Sequence, residues 1–271
     1  FVIEGVPPVV FWTFVGAAIV IQGISKSGFA GGAGILSLPL MMLVMPVEKV
    51  AATLLPLLIL LDLNAIYHHR HNKDWRWIRA IYVPAVFGIL LGAAVWWWVG
   101  REGIDRYGGY IKQFVGVIAI LFSIYIVAKE AALRRVAHYT PGRGAAWTAG
   151  VSAGFTSTIA HAAGPIVGLY MFSLNLGKSL FVGTVAWTFT LINLTKLPFY
   201  FAVDLIDERV LLFDLALVPF IPLGSYLGKW MHHRVPERPF NWTIFALTLI
   251  AGIQLVCGID IVRMTLEWLF R

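Results

Sequence analysis

"GFTSTIAHAAGP" (residues 154–165) breaks one of the most apolar parts of the chain with three successive hydroxyls, a histidine and a Gly-Pro pair. A turn at membrane depth leaves backbone N–H and C=O groups without helical partners. In lipid that is prohibitive, so such backbone has to line protein or a water-filled cavity. The reading of this stretch therefore depends on what surrounds it.

The surroundings are apolar. The 271 residues are 59% hydrophobic and 13% charged, well under the roughly 25% charged residues of a soluble domain. "VVFWTFVGAAIVIQGIS", "VAATLLPLLILLDLNAIY", "AIYVPAVFGILLGAAVWWWVG" and "FVGVIAILFSIYIVA" are continuous runs, each near the ~20 residues that cross a bilayer as a helix. They do not alternate as barrel strands do. The expected fold is an all-α polytopic membrane protein.

The net charge of +7 sits in short loops, which is topology and not a nucleic-acid footprint. No nucleic-acid partner is expected; the lipid bilayer is, and a homodimer is left open. The single Cys257 excludes an intramolecular disulfide. The sequence starts at Phe1 without a methionine, so upstream residues are expected, and no signal-peptide pattern is read.

Apolar segments are read at 7–25, 29–45, 49–67, 78–99, 110–128, 145–160, 164–174, 178–202, 209–229 and 240–258. Loops 68–79, 129–143 and 229–238 are basic, whereas 203–209 is acidic on balance and 101–106 neutral. The basic loops are placed in the cytoplasm and the protein in the inner membrane. From loop 129–143 to loop 203–209 the number of crossings must be odd. Segments 145–160 and 164–174 then go in and come back as a hairpin, and 7–25 with 29–45 does the same from outside.

This symmetry leaves a trace. "SGFAGGAG" (27–34) can be laid on "STIAHAAG" (157–164), a shift of 164 − 34 = 130. Asn64 falls near Asn193, and Gly88 and Gly92 after Pro84 recur as Gly224 and Gly228 after Pro219. The expected organisation is a first inverted repeat over 1–130, a basic linker over 131–144 and a second repeat over 145–271, each a re-entrant hairpin followed by three spanning helices. Inverted repeats with broken helices are a transporter design, with the substrate site at the repeat interface.

"GISKSGFAGGAGILSLPL" followed by "LLPLLILLDLNAIYHHRHNKDWR" resembles the first half of the TauE/SafE family of membrane anion exporters. "GFTSTIAHAAGPIVGLYM" followed by "FVGTVAWTFTLINLTKLPFYF" resembles the second half of one subgroup, and the match runs from about Gly23 to about Gln254. The resemblance implies transport of sulfite, sulfonates or related organic acids. It departs from the family at Ala162 and Ala163, which replace glycines, and at His161, where small residues are common.

Within that frame the polar residues read as an anion cradle. Helix N-termini at the hairpin tips offer free N–H groups. Thr156, Ser157 and Thr158 add hydroxyl donors, and His161 a proton or a charge. The bland alternative is that the hydroxyls bond back to carbonyls at a kink. In the first half Lys26 lies between Ser25 and Ser27, and Gly28, Gly31, Gly32 and Gly34 allow close backbone approach. Its alternative is a snorkelling lysine with glycines for helix packing.

Lys196, after Asn193, supplies a second cation or sits at the interface. Asp62 and Asn64 read as a buried polar pair, with Asp62 a proton acceptor or the salt-bridge partner of Lys26. His161 is the other proton-coupling candidate, because its reference pKa of about 6.5 lies near working pH.

Trp96, Trp97 and Trp98 read as an interface belt, Asp214 as a residue near the outer interface, and the histidines 68, 69, 71, 232 and 233 as solvated loop. No catalytic residue, metal site or cofactor is called for. The expected function is secondary transport of a small anion, driven by a proton gradient or the membrane potential. No nucleotide-binding motif is present to support ATP-driven transport. The rivals are a passive anion channel and an intramembrane hydrolase built on Ser157, His161 and Asp62.

Overall fold

The computed structural model describes residues 1–3, 5–28, 32–136 and 141–258, and these are helical without a strand. Gly31, residues 137–140 of the expected linker and residues 259–271 of the expected second repeat lie outside the described residues.

Prolines, glycines and caps set the element ends. α1 (Pro8–Gly28) opens on a proline, whose missing N–H costs nothing in a first turn. A 3-10 helix (Gly32–Leu36) runs into the short α2 (Ser37–Met42). The sequence predicts one apolar segment at 29–45. The structure replaces it with these two short pieces, in a stretch that holds Gly32, Gly34 and Pro39. The N–H of Ile3 donates to the Val44 carbonyl at 3.1 Å, so α1 begins at the level where α2 has ended.

α3 (Val47–His69) and α4 (Trp75–Glu102) follow. The Asp74 side chain caps α4 by accepting the Arg76 N–H at 2.9 Å. Gly103, at φ 105°, separates α4 from α5 (Ile104–Val136). Then come α6 (Arg143–Ala160), α7 (Gly164–Ser173) and α8 (Lys178–Ala202). α9 (Glu208–Leu217), α10 (Phe220–Arg234) and α11 (Glu237–Cys257) complete the series.

Among the described residues, five helices are long and apolar enough to cross a membrane: α1, α3, α4, α5 and α8. The α9–α10 pair makes a sixth if counted as one span, bent by 42°. The sequence predicts an unbroken segment at 209–229, and Pro219 is why it breaks. Proline has no N–H to donate, and its ring crowds the carbonyl one turn back.

Glycines bring the helices into backbone contact. A Cβ on Gly88 of α4 would lie 2.0 Å from the Val151 carbonyl oxygen, and one on Gly154 of α6 would lie 2.0 Å from that of Ala85. On α10, Cβ atoms at Gly224 and Gly228 would lie 2.6 Å and 2.8 Å from the carbonyl oxygens of Val20 and Ile24 on α1. One at Gly116 of α5 would meet the Gly252 carbonyl of α11 at 2.8 Å. Lipid tails are as apolar as leucine, so helices in a bilayer associate through close contact of this kind. The closest packing joins α1 to α10, α3 to α8, α4 to α6 and α5 to α11. Each pair takes one helix from each half of the chain.

Trp96 does not belong to an interface belt. It is buried and its indole N–H donates to the Thr158 carbonyl at 3.1 Å, while Trp97 and Trp98 are exposed.

Candidate functional site

The site is built on the C-terminal end of α6. His161 ends that helix in the left-handed conformation, φ 48° and ψ 30°. Its N–H returns to the Ser157 carbonyl at 3.1 Å and that of Ala162 to the Thr156 carbonyl at 3.3 Å, a turn usually reserved for glycine. The last four carbonyls of a helix lack N–H partners within it. Side chains from other helices reach two of them. Ser157 O accepts from Lys196 Nζ at 3.1 Å, and Thr158 O accepts from Trp96 and, at 2.5 Å, from the Tyr200 hydroxyl.

Lys196 is fully buried. Besides the Ser157 carbonyl it reaches Ser157 Oγ at 3.0 Å and His161 Nδ1 at 3.2 Å. His161 Nε2 lies 3.0 Å from the Ala51 carbonyl of α3. A carbonyl only accepts, so Nε2 carries the hydrogen and Nδ1 receives the lysine. All three donors of the ammonium are thereby used. Ser157 Oγ accepts from Lys196 and keeps its own hydrogen to donate. No carboxylate lies within 4.0 Å of Lys196 among the described residues.

The first half contributes a neutralised pair. Lys26, near the end of α1, forms an ion pair with Asp62 Oδ1 of α3. Asn193 of α8 donates to the other carboxylate oxygen at 2.6 Å. Gln22 donates to the Gly34 carbonyl at 2.9 Å, and the Gly34 N–H donates to Ser25 Oγ at 2.8 Å. The two side chains thus hold the 3-10 helix against α1.

Between these clusters lies a cavity of about 120 Å³. Gln22, Lys26 and Asp62 line one side, Ser157 and His161 the other. The start of α7, residues 162–165, closes one end, and Phe181, Val185 and Phe189 of α8 form an apolar wall. The first N–H groups of α7 have no partner within the helix. Pro165 has none, which leaves those of Ala163, Gly164 and Ile166. A second hollow of about 270 Å³, lined by Lys26, Ser27, Asn64 and Lys229 among others, shares Lys26, Ala65 and Val182 with the first.

The sequence-predicted residues fall into groups. Lys26, Ser157, His161 and Asn193 line the cavity together with Asp62. Lys196 stands behind Ser157 and His161, and Ser27 lines the second hollow. Thr156 and Thr158 donate back to the Ser152 and Gly154 carbonyls at 2.8 Å each, and neither lines the cavity. Gly28 ends α1 and Gly32 begins the 3-10 helix.

Asn64 is not the buried partner of Asp62. It is exposed, because two residues along a helix turn the side chain by about 200°. Asp62 does not orient His161 either, since both its oxygens are engaged by Lys26 and Asn193.

Sequence reasoning missed Gln22 and Tyr200 and placed Trp96 at the interface. Gln22 was within reach, as a polar side chain one turn before Lys26 on the same face of an apolar helix. The aromatic donors carry no such mark.

No curated protein and no solved structure matches the chain significantly. The sequence profile described as "Sulfite exporter TauE/SafE" matches residues 15–255, which takes in every residue named around the cavity. The chain therefore belongs to the TauE/SafE sulfite exporter family and is by that membership a multi-pass membrane transporter of the sulfite and related-anion type.

Proposed function

We propose that this chain is a secondary transporter of one small oxyanion, sulfite or a compact sulfonate or organic acid, held in the cavity between the Lys26–Asp62 pair and the Ser157–His161–Lys196 cluster. One observation carries the reading: Lys196 is fully buried with no carboxylate within 4.0 Å among the described residues. A buried charge without a counter-charge costs several kcal/mol. An anion in the adjoining cavity supplies that charge. The Ser157 hydroxyl and the first N–H groups of α7 are its direct donors, and Lys196 acts on it through Ser157. A cavity of about 120 Å³ suits a small solute, since one of ~150 Å³ holds benzene.

The two five-segment halves act in this proposal as inverted repeats over 1–130 and 145–271. The exchange of partners, α1 with α10 and α4 with α6, supports that arrangement, as such repeats rock against each other around a fixed site. With loops 68–79, 129–143 and 229–238 in the cytoplasm of a cell whose inner membrane holds the chain, Lys229 marks the cytoplasmic mouth. The second hollow is then the way in. The driving force is the proton gradient or the membrane potential, with His161 and Asp62 as the sequence-derived coupling candidates.

The test is sulfite uptake into proteoliposomes by the full chain, compared with Lys196→Met and Ser157→Ala. Saturable uptake that both substitutions weaken is the expected result. Uptake untouched by either would remove the cluster from the site, and flux that cannot be saturated would indicate a passive channel.

A further inference from the structure

Asp214, read from sequence as a residue near the outer interface that need not be functional, is buried in the structure. Its side chain is 4% exposed and neither carboxylate oxygen has a hydrogen-bond partner. No lysine, arginine or histidine nitrogen lies within 4.0 Å of it among the described residues. Its neighbours one turn either way, Val210 and Leu217, are buried and apolar. The charged groups of the surrounding elements are elsewhere. Glu208 and Arg209 are exposed in the first turn of α9, Lys49 of α3 pairs with Asp207, and Asp62 of α3 is held by Lys26 of α1. An ionised carboxylate with no donor and no cation is the most costly side chain such surroundings can hold. The neutral acid avoids most of that cost.

The place in the fold matters as much. Asp214 lies in the last turn of α9, and its carbonyl accepts the Val218 N–H at 3.0 Å just before the 42° bend into α10. α9 packs on α3, which carries Asp62, and α10 packs on α1, which carries Lys26. A change of angle at residues 218–219 therefore shifts the two partners of the cavity's ion pair relative to each other. Both carboxylate oxygens of Asp62 are engaged by Lys26 and Asn193, and both ring nitrogens of His161 are engaged. Asp214 is left with its titration unconstrained by any partner.

We propose that Asp214 is a proton-binding site: a carboxylic acid kept neutral within the membrane at the α9–α10 bend, which takes up and releases the coupled proton as the bend changes during transport. The coupling clause rests on the transport reading given above; the neutral acid does not.

The experiment has two arms on the full chain in liposomes. Labelling with a hydrophobic carbodiimide, which reacts with protonated carboxyl groups, is read by peptide mass spectrometry without any substrate. An adduct on Asp214 and none on Asp62 is expected, with loss of the adduct in Asp214→Asn. No adduct on Asp214 at neutral pH overturns the proposal. The second arm follows radiolabelled sulfite under an imposed pH gradient with the potential clamped, against protein-free vesicles. Asp214→Asn is expected to lose gradient-driven accumulation and to keep sulfite exchange. Unchanged accumulation in Asp214→Asn overturns the coupling role. If the wild type moves no sulfite, the choice of sulfite as substrate falls, and the labelling decides Asp214.

Discussion

Asn193 donates to Asp62 Oδ2 at 2.6 Å across 131 residues of sequence. The two occupy the same place in their helices: Asp62 is 62 − 47 = 15 residues past the first of α3, and Asn193 is 193 − 178 = 15 past the first of α8. The contact also holds the carboxylate that neutralises Lys26.

That carboxylate is not removable alone. Asp62→Ala leaves Lys26 buried without its partner and is expected to lower stability by about 3 kcal/mol. Replacing both partners, Lys26→Met with Asp62→Leu, should recover most of the loss. Thermal unfolding in detergent of the two single variants and the double one measures this. A double variant as unstable as the singles would show that the pair does more than cancel charge.

Lys196 allows a sharper test of anion binding. Methionine keeps much of the lysine's length without its charge. Lys196→Met should lose about 2 kcal/mol of sulfite binding, the size of one charged hydrogen bond, which is roughly thirtyfold in affinity. The readout is the rise in melting temperature with added sulfite. An undiminished rise in the variant would contradict the role given to the lysine.

His161 holds a backbone conformation that suits glycine. His161→Gly and His161→Ala both lose the imidazole contacts to Lys196 and Ala51. Only alanine also keeps a Cβ at φ 48°. The alanine variant should be the less stable of the two by about 1 kcal/mol. Equal stabilities in a denaturation series would mean that the turn relaxes when the ring is removed.

Close packing at α4–α6 predicts a contrast between glycines on one helix. Gly88→Ala drives a methyl into the Val151 carbonyl, whereas a Cβ on Gly100 meets nothing within 4 Å. The first should cost about 2 kcal/mol or prevent folding. The second should be neutral or slightly stabilising, because alanine suits a helix better. Detergent-solubilised yield and melting temperature compare them.

Asp207 links stability to pH outside the membrane. Its carboxylate accepts the Val210 N–H at 2.8 Å as the cap of α9. That bond holds its pKa below the usual carboxylate value, against a small opposing effect of burial and with help from Lys49. The folded pKa lies under the unfolded one, so the stabilisation is present above the unfolded value of about 4 and is lost as pH falls through the folded value. Asp207→Ala should therefore be less stable than wild type at neutral pH, and the gap should close under acid. A gap that stays constant down to low pH would rule out the ionised cap.

The run of helices could be read from the chain because its causes are local. A continuous apolar run near the thickness of a bilayer, ended by Gly103, by Asp74 or by Pro46, specifies a helix without reference to the rest of the molecule. The turn at His161 also announced itself, since polar and small residues inside apolar sequence have few other uses, whereas the two short pieces after Gly32 were read as one segment. The break at Pro219 was missed although proline is a local signal, because the flanking runs together had the length of one span.

What a helix faces is another matter. Asp62 and Asn64 are two positions apart, yet one turns into the bundle and the other to the surface. Trp96 points inward beside two exposed tryptophans. Lys196 meets Ser157 over 39 positions, and among the described residues the Asp214 carboxylate has no hydrogen-bond partner. The sequence alone determined that this is a multi-pass helical protein, because hydrophobic length and backbone breaks act over a few residues. Only the tertiary structure decided which polar groups meet and which are left alone, because that depends on the rotation and depth of helices whose partners lie far along the chain.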